Sequence, residues 1–153
     1  MSAATPTPEH ATPQALRVRI ERDFARSGLM LHLGAHLGDV APGRVHIHLP
    51  FSASVTQHLG LFHAGATSAI ADAAGGWSAL TLQPPGHTVL TVEFKINLLA
   101  PAQGESLEAV GRVVRSGRTL TVCQVDVFAL QAGEKAAIAL MQQTIIAVPE
   151  RQS

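Results

Sequence analysis

Between Gln57 and Gln83 the chain carries a single charged side chain, Asp72. Its neighbours are Ala69, Ile70, Ala71, Ala73, Ala74, Gly75 and Gly76. Ala66, Ile70, Ala73, Trp77 and Leu80 recur at helical spacing, so the stretch reads as an amphipathic helix. On a wheel of about 100° per residue, Asp72 lies ~120° from the middle of that apolar stripe. Its own face carries Gly65, Ser68, Gly76 and Ala79, all small. Small residues let a ligand or another backbone come close. A carboxylate there is costly unless it is paired or used. If desolvated, its pKa rises toward the range of a useful general base. The alternative is a solvated charge on an exposed helix face. Such faces usually carry several charges, often in pairs, and this one carries one.

The helix starts at His63-Ala64-Gly65. The first N–H groups of a helix have no intrahelical partner, and the dipole makes that end positive. Donors at Ala64 and Gly65 therefore suit a carbonyl oxygen gaining negative charge. The His63 side chain or water could equally cap them, and the sequence leaves both readings open. Ala64 and Asp72 are separated by ~12 Å along one helix, at about 1.5 Å per residue. A water attacking a carbonyl must lie within ~3 Å of it. If both groups act on one bond, they come from different copies of the chain, as two antiparallel helices in a two-fold dimer would allow.

The elements that must position these groups follow from periodicity. Leu16, Ile20 and Phe24 fall four apart and predict a short helix over 16–26, closed by Gly28. Residues 29–33 read as a short apolar strand. Residues 44–49 alternate, with Val45, Ile47 and Leu49 on one face and His46 and His48 on the other. Residues 51–62 have no period and read as a loop. The long helix spans 64–80 and is ended by Pro84, Pro85 and Gly86. Four strands follow, over 88–100, 106–115, 118–130 and 137–148. Ser116 and Gly117 make a two-residue turn between the second and third. In the first, Leu90, Val92, Phe94, Ile96 and Leu98 alternate with Thr91, Glu93, Lys95 and Asn97. No helices separate the later strands, which excludes a doubly wound α/β fold. The order predicts an α+β arrangement, an antiparallel sheet around one helix.

With 153 residues, 46% of them hydrophobic, the chain suffices for one domain with a real core. Residues 1–14 are rich in Ala, Thr and Pro and read as a disordered tail, lacking the basic start and apolar run of a secretory signal. The folded domain is assigned to 15–150. Zero net charge gives no indication of nucleic acid or of an anionic membrane surface as a partner, and no stretch reads as a membrane span. A charged fraction of 14% suggests that some surface is covered by another subunit. The lone cysteine, Cys123, sits in an apolar run and reads as an inert buried thiol. A reducing cytoplasm is the default compartment. His46, His48, His58 and His87 show no ligand-like grouping with Cys or acids, so no metal site is expected. His32 and His36 are four apart, but the context does not make them a helical pair. Trp77 shares the apolar stripe and reads as core.

Gln57 and His63-Ala64-Gly65, followed by Asp72-Ala73-Ala74-Gly75, resemble the His-Gly-Gly-to-Asp signature of hotdog-fold thioesterases of the phenylacetate-degradation (PaaI) type, with the same spacing from His63 to Asp72. The segments 92–101 and 111–119 are also similar, and the resemblance spans residues 29–148. It implies a long helix wrapped by a curved antiparallel sheet, paired into dimers and usually tetramers. It also implies hydrolysis of acyl-CoA thioesters without a metal or separate cofactor, coenzyme A being part of the substrate. By position, Asp72 is the general base or nucleophile, and the Ala64 N–H, with Gly65 beside it, polarises the carbonyl. Gln57 falls where relatives commonly have an Asn that orients the carbonyl or the water. Thr91 falls where they often have Ser or Thr near the attacking water. The CoA nucleotide is expected near the turn of Arg115, Gly117, Arg118 and Thr119, with Lys95 a further candidate. Two departures stand out: Gln57 is one methylene longer than Asn, and Ala64 replaces Gly. They keep a non-catalytic acyl-CoA-binding reading in play. A hydratase or dehydratase reading would need an acid/base pair, for which His63 is the only partner to Asp72.

Overall fold

The computed structural model describes residues 12–150. Of the expected tail, residues 1–11 lie outside the described residues. Its last two, Pro13 and Gln14, already belong to the first helix, α1 (Pro13–Phe24). This helix begins earlier than its apolar spacing because Thr12 caps it. The Thr12 hydroxyl accepts from the Ala15 N–H at 3.2 Å, and proline fits the first turn, where its missing N–H costs nothing. Leu16, Ile20 and Phe24 form its buried stripe, as their spacing predicts.

Residues 29–33, read as a strand, fold instead as a short helix, α2 (Gly28–Leu33), which ends on Gly34 in the left-handed region, φ 74°. A five-residue apolar run does not distinguish strand from helix. Here the left-handed glycine decides, because it terminates a helix with its carbonyls satisfied. Gly28 opens α2 rather than closing α1.

Strand β1 (His36–Ala41) has no alternating signature in sequence. It pairs with β2 (Arg44–Pro50) through a bulge between Leu37 and Val40. A 3-10 turn, Ala53–Val55, and a bridge between Thr56 and Phe62 organise the connection to α3 (Ala64–Leu80). Four strands follow: β3 (His87–Leu98), β4 (Ser106–Ser116), β5 (Leu120–Gln131) and β6 (Glu134–Pro149). The β4–β5 turn is residues 117–119, one longer than expected and closed by the Gly117 N–H donating to the Leu120 carbonyl at 2.8 Å.

The six strands form one antiparallel sheet in the order β1-β2-β4-β5-β6-β3. It wraps around α3, as a hotdog fold requires. The concave side buries Val45, Ile47, Leu49, Leu107, Ala109, Val125, Val127 and Met141 against Ile70, Ala71 and Ala74. Each large side chain so buried contributes about 1.5–3 kcal/mol.

The buried face of α3 is rotated from the stripe read in sequence. Ala73 and Trp77 are only half-buried, while Thr67 and Ser78 are fully inside. Close approach explains this. Gly111 on β4 lies against the Ala74 carbonyl, where a side chain would collide with the helix. The Ser78 hydroxyl is satisfied there, donating to Ala74 O at 2.7 Å and accepting from the Val45 N–H at 3.0 Å.

The two sheet edges differ. β1 is short, bulged and packed against α1. β3 is twelve residues long, has one side unpaired among the described residues, and carries exposed Leu90, Val92, Phe94 and Leu98.

Candidate active site

Asp72 sits midway along α3, half-buried, facing β3 and β6. Its Oδ1 accepts a 2.7 Å hydrogen bond from the Thr91 hydroxyl. The same oxygen accepts from Nε2 of Gln143 on β6. That Nε2 also lies 3.1 Å from the Asp72 carbonyl oxygen and 3.1 Å from Thr91 Oγ1. Among the described residues, no hydrogen bond or ion pair engages Oδ2. The carboxylate is thus held by one oxygen and free at the other.

Thr91 reaches Asp72 because of a bulge. Strict alternation places it with Glu93 and Lys95, away from Phe94 and Ile96. The β3–β6 register shifts between Thr91 and Glu93. That extra residue reverses the phase of the strand. Thr91 then stands opposite buried Ile145, and Phe94 opposite buried Gln143, so both face the helix.

The start of α3 forms a second group. His63 is its N-cap, and its Nδ1 accepts the Gly65 N–H at 2.8 Å. Of the two readings the sequence leaves open, the contact formed at Gly65 is the cap: its donor is taken by His63. The Ala64 N–H has no partner among the described residues, and Ala64 is exposed. Ala64 lines a cleft of about 200 Å³ with Gln57, Phe62, Thr67, Leu98 and Ile138. Gln57 is positioned by the tight turn 57–61, where its N–H donates to Leu61 O at 2.8 Å. Its side-chain oxygen accepts from the Leu59 N–H. A backbone N–H needs an acceptor, so this contact fixes the amide orientation and leaves the NH₂ end for the cleft.

Asp72 and Thr91 are therefore together, and so are Gln57 and Ala64, but the two groups lie ~12 Å apart along α3. The remaining candidates do not converge. Lys95 pairs with Gln142 on the outer sheet face, opposite to Asp72's side. β3 and β4 are three strands apart in the sheet, ~14 Å, which separates Lys95 from Arg115. Arg115, Gly117, Arg118 and Thr119 are all exposed. Gln143 was not singled out in the sequence. The available signal is its phase, since it alternates with Met141 and Ile145 and so shares their face of the last strand.

Cys123 is buried with Ala79 and Ile145, and burial pushes its thiol up to about 12. Trp77 packs against Phe24, ring centroids 5.1 Å apart. On the outer face, buried Glu108 accepts from His46 Nδ1 at 2.8 Å and pairs with Lys135. No group of three metal-capable side chains occurs among the described residues.

A mid-helix carboxylate, an open helix start and a wrapping antiparallel sheet define a class, and comparison with known proteins gives the family. The sequence model of the thioesterase superfamily matches residues 59–136, and the chain belongs to that superfamily. A thioesterase family protein from Silicibacter pomeroyi has a solved structure with 40% sequence identity and a TM-score of 0.86, covering 88% of this chain and 99% of that one. The PaaI protein of the phenylacetic acid degradation operon of E. coli superposes with a TM-score of 0.80 at 15% identity, covering 90% of this chain and 96% of its own, which is a likeness of fold. A relative from Halobacterium salinarum that bears an esterase name is 30% identical over 105 residues, 65% of this chain and 69% of its own. The protein is a thioester hydrolase of the hotdog fold.

Proposed function

We propose that the protein hydrolyses acyl- or aroyl-CoA thioesters in a site shared by two protomers, with Asp72 as general base. The observation that carries this reading is the division of the site: a carboxylate held at Oδ1 and free at Oδ2, ~12 Å from the unpartnered Ala64 N–H on the same helix. The open β3 edge supports the dimer. An exposed, apolar, twelve-residue edge is an invitation to pair with another strand. Pairing two β3 edges about a two-fold axis sets two α3 helices antiparallel, so that Asp72 of one faces the helix start of the other. Pairs of such dimers would form the tetramer.

Oδ2 takes a proton from a water as the water attacks the thioester carbonyl carbon. The partner's Ala64 N–H and helix dipole stabilise the oxyanion that forms. The Gln57 amide, its oxygen anchored, donates to the same carbonyl. Collapse breaks the C–S bond and the proton passes from Asp72 to the CoA sulfur. The products are the free acid and CoA, and no metal or further cofactor takes part. The methyl of Ala64 leaves its N–H intact. Arg115, Gly117, Arg118 and Thr119 would meet the phosphates of the CoA nucleotide at the sheet surface. Lys95 belongs to the outer face beside the paired edge. A single reduced, buried thiol suits the cytoplasm.

The test is a panel of acyl- and aroyl-CoAs with release of free thiol followed by a thiol reagent. Release with at least one chain, abolished in Asp72→Asn, supports the reading. Binding without release for every chain overturns it. A single turnover in ¹⁸O-water separates base from nucleophile: label entering Asp72 marks a nucleophile.

A further inference from the structure

We propose that Gln143, together with the glycine at position 75, is a positioning device for Asp72: its amide fixes the carboxylate so that Oδ2 faces the substrate. The proposal rests on the reading of Asp72 as the base. Gln143 does not reach substrate itself. It stands on β6 between inward-facing Met141 and Ile145, and all three are sealed from solvent. In such a place an amide is disfavoured unless its polar atoms are bonded. Only one end is. Nε2 donates to Asp72 Oδ1 and lies 3.1 Å from both the Asp72 carbonyl oxygen and Thr91 Oγ1. Oε1 has no partner among the described residues.

The amide orientation follows from chemistry. Turned over, it would set a carbonyl oxygen against the carboxylate and leave the NH₂ group where no acceptor stands. A side chain kept only to fill the core would be better as methionine or leucine, which carry no half-satisfied amide. What the amide supplies is a second donor on Oδ1, coming from β6 as Thr91's comes from β3. Two donors from two strands fix the plane of the carboxylate, where one would leave it free to swing.

Gly75 makes this possible. It lies three residues, just under one turn, beyond Asp72, and a methyl there would overlap the Gln143 amide oxygen. The amide therefore occupies the space that a side chain at 75 would take. The glycine serves close approach rather than backbone freedom, since it is inside a regular helix.

The test uses Gln143→Met, Thr91→Val, Gly75→Ala and Gln143→Ala in the full chain. For Gln143→Met, kcat on the best acyl-CoA should fall about 10- to 100-fold, the worth of a hydrogen bond to a charged group. KM should stay within about threefold and Tm should hold. Thr91→Val and Gln143→Met together should cost less than the product of their separate effects, because both act on one oxygen. Gly75→Ala should lower kcat and Tm in the wild type, and neither in the Gln143→Ala background. A fall in Tm with kcat unchanged would make Gln143 a strut and overturn the proposal. A readout independent of turnover is the Gln143 side-chain amide in ¹⁵N spectra, assigned by its loss in Gln143→Met. Asp72→Asn should shift it, and an unmoved resonance overturns the proposal even for a protein that hydrolyses nothing. Absence of hydrolysis by the wild type would sink the hydrolase reading alone.

Discussion

The Thr91 hydroxyl lies 2.7 Å from Oδ1 of Asp72, nineteen residues back in the chain and on a different element. It commits one carboxylate oxygen to the protein, while Oδ2 has no partner among the described residues. Asp72→Asn removes the proposed base while keeping the shape and a hydrogen-bond acceptor at the same place. Turnover should fall about 10²–10⁴-fold, the usual worth of a positioned base, with Tm and oligomeric state unchanged. Thr91→Val should cost about tenfold in kcat with KM little changed. Steady-state kinetics beside thermal melts check both. An unfolded Asp72→Ala with a folded, active Asp72→Asn would assign the residue to structure.

Much of this site could be read from residue types. The boundaries of α3 and the lone charge within it follow from small-residue spacing and the breakers after it, because a helix of seventeen residues shows its period. The shape of the sheet was legible from the four later strands. Thr91's contact with Asp72 was not, since a bulge has no reliable mark in an alternating pattern and reverses every side chain on one side of it. α2 does not show as a helix in sequence because six residues are too few to show a period. Gln143 stayed hidden because its partner lies 71 positions away, and only the β6 register brings it under Gly75.

Stability should fall on acidification through a cluster remote from the site. Burial opposes the charged form of Glu108, but Lys135 and His46 outweigh it, and the carboxyl ends below its ordinary 4.5. A depressed carboxyl stabilises above its unfolded pKa and loses that contribution as pH falls through the folded value. Burial also lowers His48 from 6.5, despite Glu108. Below 6.5 the unfolded chain therefore binds more protons at His48 than the folded one, which again costs stability as pH falls. Tm should decline from pH 7 toward pH 4. His48→Gln should flatten the upper part of that decline and Glu108→Gln the lower. A wild-type Tm independent of pH over this range would refute the assignment.

Cys123 should stay silent in a thiol-release assay. Its sulfur is sealed from solvent and held protonated by burial, with a pKa of about 12. The native protein should show no reaction with a thiol reagent at pH 8, and one thiol per chain after denaturation. A chelator should leave turnover unchanged, since no step in the proposed mechanism uses a metal. Loss of activity on chelation, restored by one added divalent ion, would contradict that mechanism.

Pairing through β3 should be sensitive to charge. Val92 is 55% exposed on the open edge, and lysine there is a common device against edge pairing. Val92→Lys should give a monomer by light scattering. Because the proposed mechanism pairs Asp72 with the partner's helix start, kcat/KM should fall at least about 100-fold in the monomer, the worth of an oxyanion donor, even though each chain remains folded. A fully active monomer would place the whole site within one chain.

The sharpest prediction concerns Ala64 and exploits the helix start itself. Ala64 is the first residue of α3, and proline is favoured at that position because its fixed φ suits the helix and its N–H is dispensable to it. The residue before it, His63, has ψ 138°, which proline's ring tolerates. Ala64→Pro should therefore fold with an unchanged Tm, keep the His63–Gly65 cap, and remove only the donor assigned to the oxyanion. Turnover should fall about 10²–10³-fold. Ala64→Pro and Asp72→Asn are then two inactive proteins with complementary defects. In a heterodimer of the two, one site receives an intact Asp72 from the first chain and an intact Ala64 from the second, while the other site lacks both. Random exchange of equal amounts should restore roughly a quarter of wild-type activity, half the dimers being mixed with one good site each. Mixtures that exchange subunits, shown by mass spectrometry, yet remain inactive would mean that Asp72 and Ala64 do not act across the interface.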